Sequence, residues 1–157
     1  MNITAIAPNY ITAYLWDARS ASKIEQIEVE KKTGEVGYAL PKFTLLISKI
    51  GSDTIKYAPE LLESFSYMGS YNISKKPADY ASASSWFKRI YNLDPKNKQW
   101  QISSLKKQAV VKYIEKKYSE ARDLYLQVKQ MDAKDPDADK AIKELEKIIK
   151  AQAAAQQ

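Results

Sequence analysis

Apolar residues recur at helical spacing along almost the whole chain. Three segments repeat one arrangement of four residues, separated by three, four and three positions. The first residue is large, the second is alanine, the third is aromatic and the fourth is aliphatic. The three sets are Val36, Ala39, Phe43, Leu46; Tyr80, Ala83, Phe87, Ile90; and Tyr118, Ala121, Tyr125, Val128. Residues three and four apart share one face of an α-helix, so each set predicts an amphipathic helix. The small residue allows a second helix to pack closely.

A second helical pattern precedes each of these segments. Its members are Tyr14, Ala18, Ser22; Phe65, Gly69, Ile73; and Leu105, Ala109, Tyr113. Proline and glycine interrupt helices, and the breaks at Pro8, Gly51, Pro95 and Pro136 recur every 41 to 44 residues. The pattern therefore predicts helices over about 9–24, 38–50, 59–75, 77–92, 97–116 and 118–132.

The sequence also predicts how several of these helices begin and how the first two are connected. Asn9 is expected to cap the first helix. Pro41, Pro59 and Pro77 are each expected in a first helical turn, where a missing amide is tolerated. Residues 25–37 contain two glycines and alternating charges, so we expect an inserted loop with room for one extra helical turn.

The last segment, from Pro136, predicts a seventh helix. Its apolar stripe consists of Ala138, Ala141, Ile142, Leu145, Ile148 and Ile149. Acids come first and lysines later, as the helix dipole favours. A helix that is polar on its outer side can close the end of a helical stack, so this segment is interpreted as a cap whose end, 151–157, frays.

The repeated pattern resembles the tetratricopeptide repeat family, whose helical hairpins carry small residues in both helices, an aromatic in the second and a final proline. Residues 80–95, with Gly69 before them, give the best copy, although the repeats here are longer than the family's. The resemblance implies an all-α, right-handed superhelical stack within a single domain, 1–157. Its parts are repeat 1 (about 9–51), repeat 2 (about 52–95), repeat 3 (about 96–135) and a capping helix (about 136–157). The repeat-packing residues are Ala18, Ala39, Phe43, Gly69, Ala83, Phe87, Ala109, Ala121 and Tyr125.

The same resemblance implies a non-enzymatic scaffold that binds a protein or peptide in a concave groove lined by the first helix of each hairpin. Leu15, Val110 and Tyr113 would pack against the ligand, and Arg19 and Lys106 would steer it. The full set of groove residues is Leu15, Arg19, Lys23, Ser66, Ser70, Lys106, Val110 and Tyr113. Because such repeats serve unrelated tasks, the identity of the partner stays open.

Composition narrows the chemistry. The chain has no cysteine and no histidine, which excludes disulfides, thiolate zinc sites and histidine-based catalytic triads within it. Asp135, Asp137, Asp139 and Glu146 match positions of a calcium-loop template, but Lys140 occupies the position that requires glycine. A helix start is the simpler interpretation of this run. We therefore predict no catalytic residue, metal or cofactor.

Charge is distributed unevenly. Residues 1–74 hold 7 basic and 8 acidic side chains, whereas residues 75–157 hold 18 and 11. Within 75–117 there are 11 basic and 3 acidic residues, interleaved with tryptophans and tyrosines. A basic, aromatic-rich stretch can bind nucleic acid or another polyanion, which is the alternative function. Solvated helix faces over a buried aromatic core explain the same pattern.

Neither a secretory signal nor a stretch of about 20 apolar residues is present in this sequence. The compartment is open between cytoplasm and bacterial periplasm, since a cysteine-free protein suits both. Because the chain starts near a repeat boundary, we expect it to be the C-terminal part of a longer bacterial repeat protein. The oligomeric state is also open.

Overall fold

A computed structural model describes residues 10–32 and 34–155, which form seven α-helices and no strand. The helices are α1 (Ile11–Glu30), α2 (Leu40–Ile50), α3 (Ala58–Ser74), α4 (Tyr80–Tyr91), α5 (Lys98–Ile114), α6 (Tyr118–Met131) and α7 (Pro136–Ala155). The predicted all-α class is confirmed. Asn9, expected as a cap, lies outside the described residues, and Tyr10 occupies the N-cap of α1.

The chain divides into two compact units, residues 1–79 and 80–157. We call them the first unit, with α1 to α3, and the second unit, with α4 to α7. The division falls between α3 and α4, which are the two helices assigned to repeat 2 from the sequence. The single-domain organisation and the repeat boundaries stay predictions.

In the first unit each helix packs on the next along the chain. Its core contains Ala18, Phe43, Leu46 and Leu61, all nearly inaccessible to solvent. The ring of Phe43 stacks on Tyr67 with centroids 4.4 Å apart. Close packing of these rings and aliphatic groups is the main source of stability for such a small helical unit.

The link between α1 and α2 differs from the sequence prediction. Helix α1 continues to Glu30, so the first six residues of the expected loop are helical. Glu25 explains this difference, because its side chain is buried and accepts hydrogen bonds from the backbone N–H groups of Gly37 and Ala39. That contact is tertiary and cannot be read from a local charge pattern.

The prolines bear out two of three predictions. Pro41 and Pro59 lie in the first turns of α2 and α3, as expected. Pro77 does not begin a helix, since α4 starts at Tyr80. The backbone N–H of Asp79 instead donates to the carbonyl of Asn72, which holds the connection against the end of α3.

In the second unit, α4, α5, α6 and α7 also pack in chain order. Short connections between packed helices make successive helices antiparallel. Ala83, Ala121 and Ala138 are fully buried, so the small residues lie where helices meet. A hydrogen bond joins α4 to α5, in which the hydroxyl of Ser104 donates to the carbonyl of Phe87 at 2.6 Å.

The residues assigned to repeat packing are buried in all cases but one. Tyr125 is the exception and is half-buried. The other eight are Ala18, Ala39, Phe43, Gly69, Ala83, Phe87, Ala109 and Ala121.

Candidate binding pocket

The predicted groove residues of the first unit have unequal access to solvent. Leu15 is buried at 7% exposure and is not available to a ligand in this structure. Arg19 is exposed but paired, since its guanidinium donates three hydrogen bonds to the Glu63 carboxylate, at 2.8 to 3.0 Å. Lys23 and Ser70 are exposed and Ser66 is half-buried.

The predicted groove residues of the second unit form a more definite site. Val110 and Tyr113 on α5 are 46% and 51% exposed and line a pocket of about 190 Å³. The remaining lining comes from α6 and α7 and consists of Tyr125, Ala141, Glu144 and Leu145. We call this cavity the α5–α7 pocket.

The spacing of residues on α5 and on α7 explains why one face of each helix lines this pocket. On α5, Lys106, Val110 and Tyr113 lie four and three residues apart and therefore share one face. On α7, Asp137, Ala141 and Glu144 have the same spacing. Each α7 residue follows its α5 counterpart by 31 positions, and the first pair forms an ion pair. This constant separation fits helices that run in the same direction with α6 packed between them.

At one end of this α5 face, Lys106 forms ion pairs with α7 and with the residue before it. The ammonium of Lys106 contacts Asp135 at 2.7 Å and Asp137 at 2.8 Å. Burial opposes the charge on Lys106, but hydrogen bonds to the two aspartates outweigh it and raise its pKa. Lys106 was expected to steer a ligand, whereas its contacts here tie α5 to the start of α7.

Two tyrosines shape the apolar part of the pocket. Tyr125 reaches it from α6, and burial raises the pKa of its hydroxyl. Tyr113 meets Tyr118 edge to face, with ring centroids 5.5 Å apart. That contact restrains the Tyr113 ring while half of its surface stays accessible.

Sequence reasoning found the α5 side of the pocket and missed the α7 side. Ala141 and Leu145 were assigned to a capping stripe and Tyr125 to repeat packing, and Glu144 was not singled out. The matching four-and-three spacing on α5 and α7 was the signal that could have linked them.

The aspartate run at the start of α7 has structural partners. Asp135 accepts a hydrogen bond from the backbone N–H of Ala138 at 2.8 Å and pairs with Lys106. Asp139 pairs with Lys129 of α6. Within residues 10–32 and 34–155 no group of three or more acidic side chains is placed to hold a metal ion.

The basic segment 75–117 contains both paired and unpaired cations. Lys112 pairs with Glu120 at 2.8 Å, and Arg89 lies 4.5 Å from the centre of the Trp86 ring. Among the described residues of the second unit, the cations of this segment that form no ion pair and are exposed are Lys88, Lys96, Lys98 and Lys116. Three of these four lie beside the turn between α4 and α5.

Comparison of the chain with protein-family models, curated proteins and solved structures finds no match in any of the three. No helix among the described residues combines the length and apolar character needed to cross a membrane.

Proposed function

We propose that this protein is a non-enzymatic helical scaffold that binds a peptide or protein segment, with the α5–α7 pocket as a contact site in the second unit. The observation that carries this proposal is the pair Val110 and Tyr113, which are large, about half exposed and beside a concave surface. Aromatic residues at the centre of a concave contact often dominate binding energy. The resemblance to tetratricopeptide repeats adds support, and the superhelical arrangement belongs to the proposal.

The pocket suits a short segment better than a large ligand. At about 190 Å³ it holds the volume of about six water molecules, enough for the end of one long side chain. Helices fix the position of its walls, so little ordering cost falls on the protein when a ligand binds. Because the pocket holds only one side chain, neighbouring contacts along α5 would add to the affinity of a bound segment.

The first experiment is a titration of the full chain with a dye-labelled peptide library, read by fluorescence anisotropy. Tyr113→Ala should weaken a bound peptide about tenfold, because it removes the main exposed ring of the pocket. The matched control is Tyr38→Ala, which removes a tyrosine of similar exposure from the first unit. Equal affinity for the wild type and Tyr113→Ala, or no binder in the library, would overturn the proposal.

The alternative function is binding of nucleic acid or another polyanion through the basic segment 75–117. The observation that favours it is the group of exposed, unpaired lysines beside the α4–α5 turn, next to the Arg89–Trp86 contact. A cation with an aromatic ring beside it can contact both a phosphate and a base.

A further inference from the structure

We infer that the α5–α7 pocket recognises a basic side chain, lysine or arginine, of the bound segment. The inference rests on the proposed function and names the chemistry of its ligand. Of the six residues that line the pocket, Glu144 alone carries a charge. The rest are aliphatic or aromatic, so a ligand must bring one cation and otherwise apolar surface.

Glu144 is available for such a contact. It is exposed and forms no ion pair within the described part of the chain, although Lys140 lies one turn before it on α7. Lys106, the cation on the α5 side, is already shared between Asp135 and Asp137. Lys106 is therefore neutralised by its own two aspartates and does not compete for Glu144, which lies two turns beyond Asp137 on α7.

The single charge of the pocket lining is opposite in sign to the net charge of the whole second unit. Residues 80–157 hold 16 basic and 10 acidic side chains, a net charge of +6. Screening limits the reach of exposed charges to about 8 Å at physiological ionic strength. A cation seated in the pocket therefore responds mainly to Glu144, the charged residue of the lining, while Lys140, Lys143 and Lys147 flank it on α7 outside the lining.

The shape of a basic side chain matches the pocket walls. Lysine and arginine have aliphatic stems that pack on apolar surface while the charged end reaches a polar group. Here the stem would lie against Val110 and the rings of Tyr113 and Tyr125, with the cation at Glu144. Tyrosine faces also attract cations, which an uncharged aliphatic ligand would not exploit.

The test uses single-residue probes on the full chain. Acetyl-arginine amide is titrated and followed by chemical-shift changes of backbone amides, and acetyl-norleucine amide is the uncharged comparison. We expect shifts at Tyr113, Ala141 and Glu144 with the arginine probe and weaker binding of norleucine. Glu144→Gln should weaken the arginine probe about threefold to fivefold, as for a partly exposed ion pair.

The matched control is Glu146→Gln, an exposed glutamate half a helical turn away on α7. Equal binding of the two probes, an unchanged affinity in Glu144→Gln, or shifts confined to other residues would overturn the inference. If peptides still bind in a Tyr113-dependent way, the scaffold function stands and only the basic-residue preference is lost. If neither peptides nor probes bind, both are lost.

Discussion

At the residue scale, Glu25 is the most constrained side chain of the first unit. Its carboxylate accepts from the backbone N–H of Gly37 and of Ala39, each at 2.9 Å, and from the Tyr67 hydroxyl at 2.7 Å. Burial and the hydrogen bond to Glu25 together raise the pKa of Tyr67 well above its usual range. A buried carboxylate is costly unless it is hydrogen-bonded, and three donors meet that requirement here.

Gly37 shows why this contact has a strict backbone geometry. Its φ is +109°, and a Cβ added there would lie 2.9 Å from the Tyr71 ring. Only glycine adopts this conformation easily and leaves space for the ring. The loop between α1 and α2 therefore requires glycine at position 37 and the Glu25 carboxylate as its hydrogen-bond acceptor.

We expect Glu25→Ala to lower the free energy of unfolding by about 3 kcal/mol, because it leaves the buried Ala39 N–H, the partly buried Gly37 N–H and the Tyr67 hydroxyl without this acceptor. Tyr67→Phe should cost about 1 kcal/mol, since it removes one donor and keeps the stacked ring. Urea denaturation followed by circular dichroism measures both. Glu35→Gln, in the same loop and exposed, is the control. A Glu25→Ala protein as stable as that control would show that the contact contributes little.

At the element scale, the start of α7 depends on one aspartate. Asp135 caps the helix through Ala138 and joins it to α5 through Lys106. Burial would raise the pKa of Asp135, but the hydrogen bonds from Lys106 and from the Ala138 backbone outweigh it, and the pKa is lowered. The folded state therefore binds this proton more weakly than the unfolded chain does.

The sign of the pH dependence follows from that shift. A carboxyl group with a lowered folded-state pKa stabilises the fold above its unfolded pKa, about 3.9, and loses that contribution as pH falls towards the folded value. Asp135→Asn should lower the free energy of unfolding near pH 7 by about 1 to 2 kcal/mol. The difference from the wild type should shrink below about pH 4.

Thermal unfolding at several pH values measures this difference. Asp132→Asn is the control, because Asp132 lies in the same connection and its side chain accepts an exposed hydrogen bond from the Lys134 backbone N–H. A difference that stays constant from pH 7 to pH 3 would contradict a contribution from the ionised carboxylate.

The sequence predicts a helix boundary well when contacts between residues close in the chain set it, and poorly when a contact between distant residues sets it. Apolar spacing alone places α5 and α6 within about two residues of their observed ends, because local periodicity sets a helix that packs along its length. The α1 boundary fails because Glu25 bonds to a loop more than ten residues away. Half of the pocket was missed for a similar reason, since α7 was interpreted only as a cap.

At the scale of the whole molecule, charge is the feature that separates the two units. Residues 1–79 hold 9 basic and 9 acidic side chains, whereas residues 80–157 have a net charge of +6. Some of these cations, such as Lys106 and Lys112, are held in ion pairs. The exposed lysines beside the α4–α5 turn are one group of these charges that a polyanion could neutralise.

If the alternative function holds, the full chain should bind single-stranded nucleic acid at low salt and lose affinity steeply as salt rises, because bound phosphates release their counterions. The double variant Lys88→Glu, Lys98→Glu should weaken binding and reduce the logarithmic salt slope by about 1.4, since each phosphate contact to a single strand contributes about 0.7. Anisotropy with a labelled oligonucleotide at several salt concentrations gives both quantities.

The control is a second double variant with the same net charge as the first. Lys143→Glu, Lys150→Glu removes two exposed lysines from α7 and changes the charge of the second unit by the same amount. If the two double variants lose equal affinity, the attraction comes from net charge and no surface is specific. A loss confined to the first variant would locate the polyanion surface at the α4–α5 turn. Competition by a bound peptide would then show whether this surface and the α5–α7 pocket act independently.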